Sequence, residues 1–212
     1  MDITIIGTGN MARGIASRAL AGGNGVTLLG HHGAAEAESL AGDLRPGADA
    51  AVTAGGVGDP IATETVVLAV PYAAAGDVIS QYGDQLSGKV VVDITNPLNA
   101  TYDGLVSTPA GSAAQEIAAA APGARVVKAF NTTFAGPLAS GEVAGQPLDV
   151  LIAGDDGAAK ETVQELARGG GLRPIDAGPL ARSRELEAIG FEHISLQGSL
   201  GTGFASSIKI LA

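Results

Sequence analysis

The chain has 212 residues, 46% hydrophobic and 16% charged, which is enough for one large domain or a domain with an appendage. Twenty-two acidic against 12 basic side chains leave a formal net charge of −10, which argues against a nucleic-acid groove and against an anionic membrane surface. The absence of cysteine excludes disulfides and thiolate chemistry, and three scattered histidines do not suggest a metal cage.

The first element is an apolar strand, Ile3–Ile6, running straight into Gly7-Thr8-Gly9-Asn10-Met11-Ala12. A buried strand, a glycine turn and a helix N-terminus together make a pyrophosphate site. Gly7 permits the sharp turn, and Gly9 lets backbone approach a phosphate. The helix from Asn10 to about Gly22 aims unpaired amides and its positive dipole end at the ligand. The second strand, Val26–Leu29, ends in Gly30-His31-His32-Gly33, with none of the carboxylates that accept from an adenosine ribose. His31 and His32 either donate to a 2′-phosphate, becoming partly protonated beside it, or are exposed loop residues without a role. The missing carboxylate favours NADP over NAD.

Further along, strands are expected at Ala51–Thr53, Thr65–Val70, Lys89–Thr95, Arg125–Phe130 and Asp149–Ala153. Helices fall between them at Ala34–Leu44, Ala73–Tyr82 and Ser112–Ala121. Runs such as Val66-Val67-Leu68-Ala69-Val70 are apolar at every position, the mark of strands buried on both faces of a parallel sheet. The alternation predicts a Rossmann-type, doubly wound, mostly parallel α/β sheet. Beyond it come a helix over Ala158–Arg168, a strand over Leu172–Asp176 and a helical tail from Arg182, interrupted at Gly198 and Gly201–Gly203. The division expected is a dinucleotide-binding part, residues 1–153, and a small C-terminal helical layer, 154–212, packed on it. No apolar stretch spans a bilayer and the start resembles no signal peptide, so the chain is expected to be cytoplasmic.

Ligands of doubly wound sheets lie beyond the carboxyl ends of the strands. Val70-Pro71-Tyr72 and Asp93-Ile94-Thr95-Asn96-Pro97-Leu98 should therefore line the path from ribose to nicotinamide, with Pro71 and Pro97 also explicable as plain strand stops. The Asn96 amide suits a ribose or carboxamide. Asp93 either titrates or bonds loop amides. Asn131-Thr132-Thr133, between Phe130 and Phe134, suits the edge of a flat ring or caps the next helix. No serine–histidine–carboxylate arrangement is evident, and His193 has the context of a packed or surface histidine.

The segment Ile5–Gly14, the Asp93–Leu98 turn, Gly154-Asp155-Asp156 and Leu172-Arg173-Pro174-Ile175-Asp176-Ala177-Gly178-Pro179-Leu180 together resemble the NADP oxidoreductase, coenzyme F420-dependent family. They are also similar to the N-terminal domain of the STEAP metalloreductases. The resemblance implies hydride exchange between NADP and a deazaflavin, coenzyme F420, as small-molecule redox co-substrate. It implies that Thr8, Gly9, Asn10 and Met11 hold the pyrophosphate, that Val70, Ala74, Asn96 and Ala135 line the cofactor, and that Ser206 approaches the acceptor. His31 and His32 stand where those reductases carry Ser-Arg, and Asn131-Thr132-Thr133-Phe134 replaces their His-Thr-x-Pro. Direct hydride transfer requires proximity more than an acid or base, so no catalytic residue is singled out, with Asn131 and Thr132 as candidates for orienting the acceptor. An acceptor that is a flavin, quinone or ferric chelate, or a dinucleotide sensor without turnover, are the alternatives. A homodimer that completes each pocket is also compatible with the short tail.

Overall fold

The computed structural model describes residues 1–211. Its first half alternates strand and helix except between β3 and β4: β1 (Ile3–Ile6), α1 (Asn10–Ala21), β2 (Val26–Gly30), α2 (Ala34–Leu44), β3 (Val52–Gly56), β4 (Thr65–Leu68), α3 (Tyr72–Tyr82), β5 (Val90–Asp93), α4 (Ala113–Ala120) and β6 (Arg125–Lys128). Then follow α5 (Ala135–Ser140), a small hairpin of β7 (Glu142–Val143) and β8 (Gln146–Pro147), β9 (Asp149–Gly154), α6 (Gly157–Gly169), β10 (Arg173–Gly178), α7 (Ser183–Ser195) and α8 (Gln197–Leu200).

Eight strands form one sheet in the order β10-β9-β6-β5-β4-β1-β2-β3. The six strands from β3 to β6 are all parallel, with Ile3 opposite both Val26 of β2 and Thr65 of β4. Parallel neighbours need crossovers, and the crossover helices cover both faces. Because strand side chains alternate, Ile5 enters the core beneath α1, α2 and α6, while Ile6 enters the core beneath α3 and α4. Helix α1 presents Ala12, Ile15, Ala16 and Ala19 to the first core, at helical spacing. Burying Ile15 alone stabilises by about 2 kcal/mol. Two helices carry side-chain N-caps: Ser112 accepts from the Gln115 amide at 3.1 Å, and Asp156 from the Ala159 amide at 2.7 Å.

The order breaks at β9. After β6 the chain makes the short α5 and the hairpin instead of a full crossover, and β9 returns antiparallel to β6. Only its last two residues pair there, Ala153 opposite Lys128 and Gly154 opposite Val127. The preceding residues of β9 therefore project beyond the carboxyl end of β6, where they are buried. β10 pairs in parallel with β9, so one sheet runs unbroken across position 153.

The tail differs from the helix expected from Arg182. Helix runs only through α7 and the single turn of α8, then stops at Gly201, whose φ of +63° is left-handed. Residues 201–211 form neither helix nor strand. They are pinned at Asp149, whose carboxylate accepts from Arg173, from Lys209 at 2.7 Å and from the Ile210 amide at 2.8 Å. Burial alone would raise the Asp149 carboxyl, but these donors outweigh it and hold it at about 2. Among the described residues no helix is long and apolar enough to cross a membrane.

Candidate dinucleotide and acceptor site

The glycine turn separates two demands that a sequence pattern lumps together. Gly7 has φ +120°, and a Cβ there would stand 2.2 Å from the Ala69 carbonyl oxygen, so this position is closed to any other residue by the backbone just after β4. Gly9 is opposite in character: its φ of −73° suits any residue, and an added Cβ would meet nothing within 4 Å. Space is thus kept open at the N-terminus of α1, where no side chain caps the first-turn amides. Gly14, one turn along, lets α5 pack closely, since a Cβ would lie 2.9 Å from that of Leu138.

On one side of this turn a cleft of about 570 Å³ holds Thr8, Arg13, His31, His32, Glu36 and Ser39. The His31 ring meets that of His32 edge-on at 5.0 Å, and its Nδ1 is buried with no hydrogen-bond partner. Arg13 pairs with Asp43 at 2.7 Å, both largely in water, so that this pair contributes little to stability. Glu36 escaped the sequence reading. It lies beyond the end of β2, yet the first turn of α2 swings its carboxylate across the cleft to accept from Thr8 Oγ1 at 3.2 Å. It is the one carboxylate lining this cleft among the described residues.

On the other side a cleft of about 620 Å³ continues past Asn10, Met11, Val70, Pro71, Thr95 and Asn96. No charged side chain lines it among the described residues. Tyr72 stands in its wall and donates to Glu116 at 2.6 Å; burial first, and the Glu116 carboxylate second, push the phenol up to about 12. Thr95 lies at the cleft with its Oγ1 buried and unpartnered. Two expected residues lie elsewhere. Ala74 packs against the core beneath α3, and Pro97 is buried with its outer side in a separate cavity beside Leu105 and Val106.

Asn96 and Asn131 form a clasp. The Asn96 amide donates to the Asn131 carbonyl at 2.9 Å, and the Asn131 amide donates back to Asn96 Oδ1 at 2.9 Å and to the Leu186 carbonyl at 2.9 Å. Gly190 of α7 lies against it, where a Cβ would come within 2.8 Å of both residues. Both side chains therefore join the β5 and β6 turns to α7, and Asn131 and Thr132 are buried rather than offered at a cleft surface. The geometry starts at Phe130, a buried residue held at φ +62°, which turns the chain sharply out of β6.

Beneath the clasp is a cluster the sequence did not reveal. Lys128 is fully buried, with Nζ 2.7 Å from Asp93 Oδ2 and 2.8 Å from Glu187 Oε1, and it also donates to the Thr95 carbonyl. Asp93 Oδ1 accepts from the Thr95 amide at 2.8 Å. Glu187 further accepts from the Ala113 and Ala114 amides at the start of α4. Burial pushes the Glu187 carboxyl up, against the downward pull of Lys128 and of the Ala113 amide. Asp93 thus both forms an ion pair and bonds a loop amide.

A cavity of about 850 Å³ shares Asn10 and Met11 with the uncharged cleft and continues over Phe134, Ala135, Val143 and Phe204. Phe134 stacks on His193 with ring centres 4.1 Å apart, and Phe204 meets Phe134 edge-on at 5.0 Å. His193 Nδ1 faces the Thr132 carbonyl at 3.2 Å and so carries the proton, while burial lowers its affinity for a second one. Its Nε2 meets Ser206 Oγ at 2.9 Å, and the same hydroxyl accepts from Gln197. Ser206 is therefore committed to anchoring the tail, and the neighbouring Phe204 and Ala205 face the cavity. Among the described residues no three His, Asp or Glu side chains converge as a metal site.

A family described as NADP oxidoreductase coenzyme F420-dependent matches residues 2–97. An F420-dependent NADP reductase of Methanothermobacter thermautotrophicus is 32% identical over 203 residues, covering 89% of this chain and 86% of that protein. The rat metalloreductase STEAP3 is 34% identical over 187 residues, but the matched region is 88% of this chain and only 36% of the rat protein. A crystal structure of a candidate F420-dependent NADP-reductase from Arthrobacter sp. FB24 superposes with a TM-score of 0.84 at 27% identity, covering 99% of each chain.

Proposed function

The chain belongs to the NADP oxidoreductase coenzyme F420-dependent family, and on that premise we propose that it transfers hydride between NADP(H) and the deazaflavin F420. The observation that carries this is the continuity of the clefts: open space at Gly9, an uncharged channel to Thr95, then a large apolar cavity sharing Asn10 and Met11.

The residues present fit a dinucleotide. Gly9 leaves the cradle that a Cβ would fill, and unpartnered buried atoms, His31 Nδ1 and Thr95 Oγ1, occur at the two ends of the path. Gly7, Thr8, Gly9, Asn10 and Met11 would hold the pyrophosphate with the first-turn amides of α1. His31, His32, Arg13 and Ser39 supply donors around the adenosine ribose and a 2′-phosphate. Val70, Pro71, Thr95 and Asn96 would line the nicotinamide, which when bound supplies or receives the hydride. Phe134, Ala135 and Phe204 offer flat apolar contact to an acceptor ring and keep water from it. The clasp of Asn96 with Asn131, and the bond of Thr132 to His193, act one layer back by holding these walls in place. Orientation by rigid walls is what a direct transfer needs.

In this account residues 1–153 carry the dinucleotide and 154–212 complete the acceptor cavity, through α7 and the tail. Exposed Leu196, Leu200 and Phe204 favour a homodimer at that end, which a monomeric sedimentation profile at working concentration rejects. A cytoplasmic location accords with a chain that has no cysteine. The activity is tested by mixing the purified protein with NADPH and oxidised F420 and following NADPH absorbance beside an NADH control. Rapid oxidation of NADPH, and little of NADH, is expected. Tight NADPH binding with no oxidation would overturn F420 as the acceptor.

A further inference from the structure

We propose that the buried cluster of Asp93, Lys128 and Glu187 biases the cofactor site toward the oxidised dinucleotide, by keeping a net negative charge behind the Thr95 floor of the cleft. This rests on the nicotinamide occupying that cleft. The cluster holds two carboxylates against one ammonium, and all three groups are buried. It touches the cleft through a single residue: Thr95 gives its carbonyl to Lys128 and its amide to Asp93. Among the described residues the cleft itself has no charged lining, so nothing at its surface cancels that field. Tyr72, in the wall of the same cleft, donates to a further carboxylate, Glu116, which stands in the first turn of α4 next to the Ala113 and Ala114 amides that Glu187 caps. The second carboxylate adds to the negative charge rather than cancelling it.

The two redox forms of a nicotinamide differ by one positive charge on the ring, which the oxidised form carries and the reduced form lacks. A fixed negative charge nearby stabilises only the first. Inside a protein such an effect is screened neither by bulk water nor by salt as it would be at the surface. The arrangement is also not one that ion pairing alone explains. A lone Asp93–Lys128 pair, whose residues lie directly opposite each other on β5 and β6, would be neutral. Glu187 adds the surplus charge, and the Ala113 and Ala114 amides at the N-terminus of α4 favour its ionised form. The consequence for the reaction is direction: bound NADPH becomes a better hydride donor, and NADP⁺ leaves more slowly.

The test is a pair of dissociation constants, for NADP⁺ and for NADPH, measured by calorimetry at pH 8 on the unaltered protein and on Glu187→Gln. The amide keeps the shape and an oxygen for Lys128 but removes the surplus charge. NADP⁺ is expected to bind about fivefold more weakly to the variant, with NADPH changed by less than about twofold. Equal weakening of both, or no change in either, overturns the inference, since a merely structural role would not separate the two forms. Should Glu187→Gln lose its native circular dichroism, Asp93→Asn removes the same charge from the other side and is read in the same way. The unaltered protein gives an independent reading, because it should bind NADP⁺ more tightly than NADPH, and the reverse order overturns the bias. Failure of both nucleotides to bind the unaltered protein overturns the assignment of the cleft, and this inference with it.

Discussion

Replacing Gly9 by valine should abolish most dinucleotide affinity and leave the fold almost untouched. The backbone at Gly9 lies at φ −73° and ψ −178°, an extended conformation open to any residue, and a Cβ there meets no protein atom within 4 Å. Folding stability should consequently change by less than about 1 kcal/mol, the scale of altering an N-cap glycine. On the proposed binding mode the valine fills the open space through which a phosphate would reach the first amides of α1. Each hydrogen bond to a charged group lost in this way costs about 1.5–3 kcal/mol, or roughly 10- to 150-fold in affinity. Gly7→Ala is the informative contrast. Its Cβ would stand 2.2 Å from the Ala69 carbonyl oxygen at a φ of +120°, so strain and overlap should destabilise the protein by about 3 kcal/mol or more. The assay is a fluorescence titration with NADPH beside a urea denaturation curve for each variant. An NADPH affinity within twofold of the original in Gly9→Val, or a stability loss matching that of Gly7→Ala, would refute the separation of roles.

The adenosine cleft should discriminate through its histidines: His31→Ala is expected to weaken NADPH about tenfold with little effect on NADH, while Glu36→Gln, removing the carboxylate of that cleft, moves the NADPH-to-NADH ratio the other way; competition titrations with both nucleotides check this. Asp149 ties the tail to β9 and β10, and its carboxyl is held at about 2, below its ordinary 3.8. A depressed acid stabilises the folded form above its ordinary value and loses that contribution as pH falls toward 2. Protease cleavage of the tail should accordingly rise between about pH 4 and 2 in the unaltered protein, whereas Asp149→Asn shows fast cleavage already at neutral pH; equal rates at neutral pH contradict the anchor.

The parallel half of the fold was legible because its strands are buried on both faces and therefore read as unbroken apolar runs. Val66-Val67-Leu68 and Val90-Val91-Val92 leave little choice but a covered sheet. The reversal at β9 was not legible, since Asp149–Gly154 is as apolar as a parallel strand and direction is decided by the connection before it. The glycine turn suggested the phosphate site proposed here, and the structure divides that turn into a glycine closed by Ala69 and one kept open. From the sequence, the polar residues of the Asn131–Thr133 turn suited the edge of a flat ring or a cap on the next helix. In the fold the Asn131 amide nitrogen, the Asn131 and Thr132 carbonyls and the Thr133 hydroxyl bond to Asn96, Leu186, His193 and Phe130, partners separated by up to 61 positions in the chain. The buried cluster did leave a trace: Lys128 interrupts an otherwise apolar strand end, and Asp93 ends the preceding strand at the same level. What no periodicity could supply was Glu187, 59 residues beyond Lys128 on a helix of mixed character. Glu36 was overlooked for a related reason, because its approach to Thr8 depends on where the first turn of α2 points.

Direct transfer across the shared wall of Asn10 and Met11 is the centre of this account, and isotope tracing tests it most simply. NADPH carrying deuterium at the transferable position is incubated with the protein and oxidised F420, and the reduced deazaflavin is analysed by mass spectrometry. One deuterium per molecule of reduced F420 is the predicted result, because on the proposed reading the walls around Phe134 and Phe204 would bring the two rings together and exclude water. Reduced F420 without the label, or label released to solvent, would contradict it.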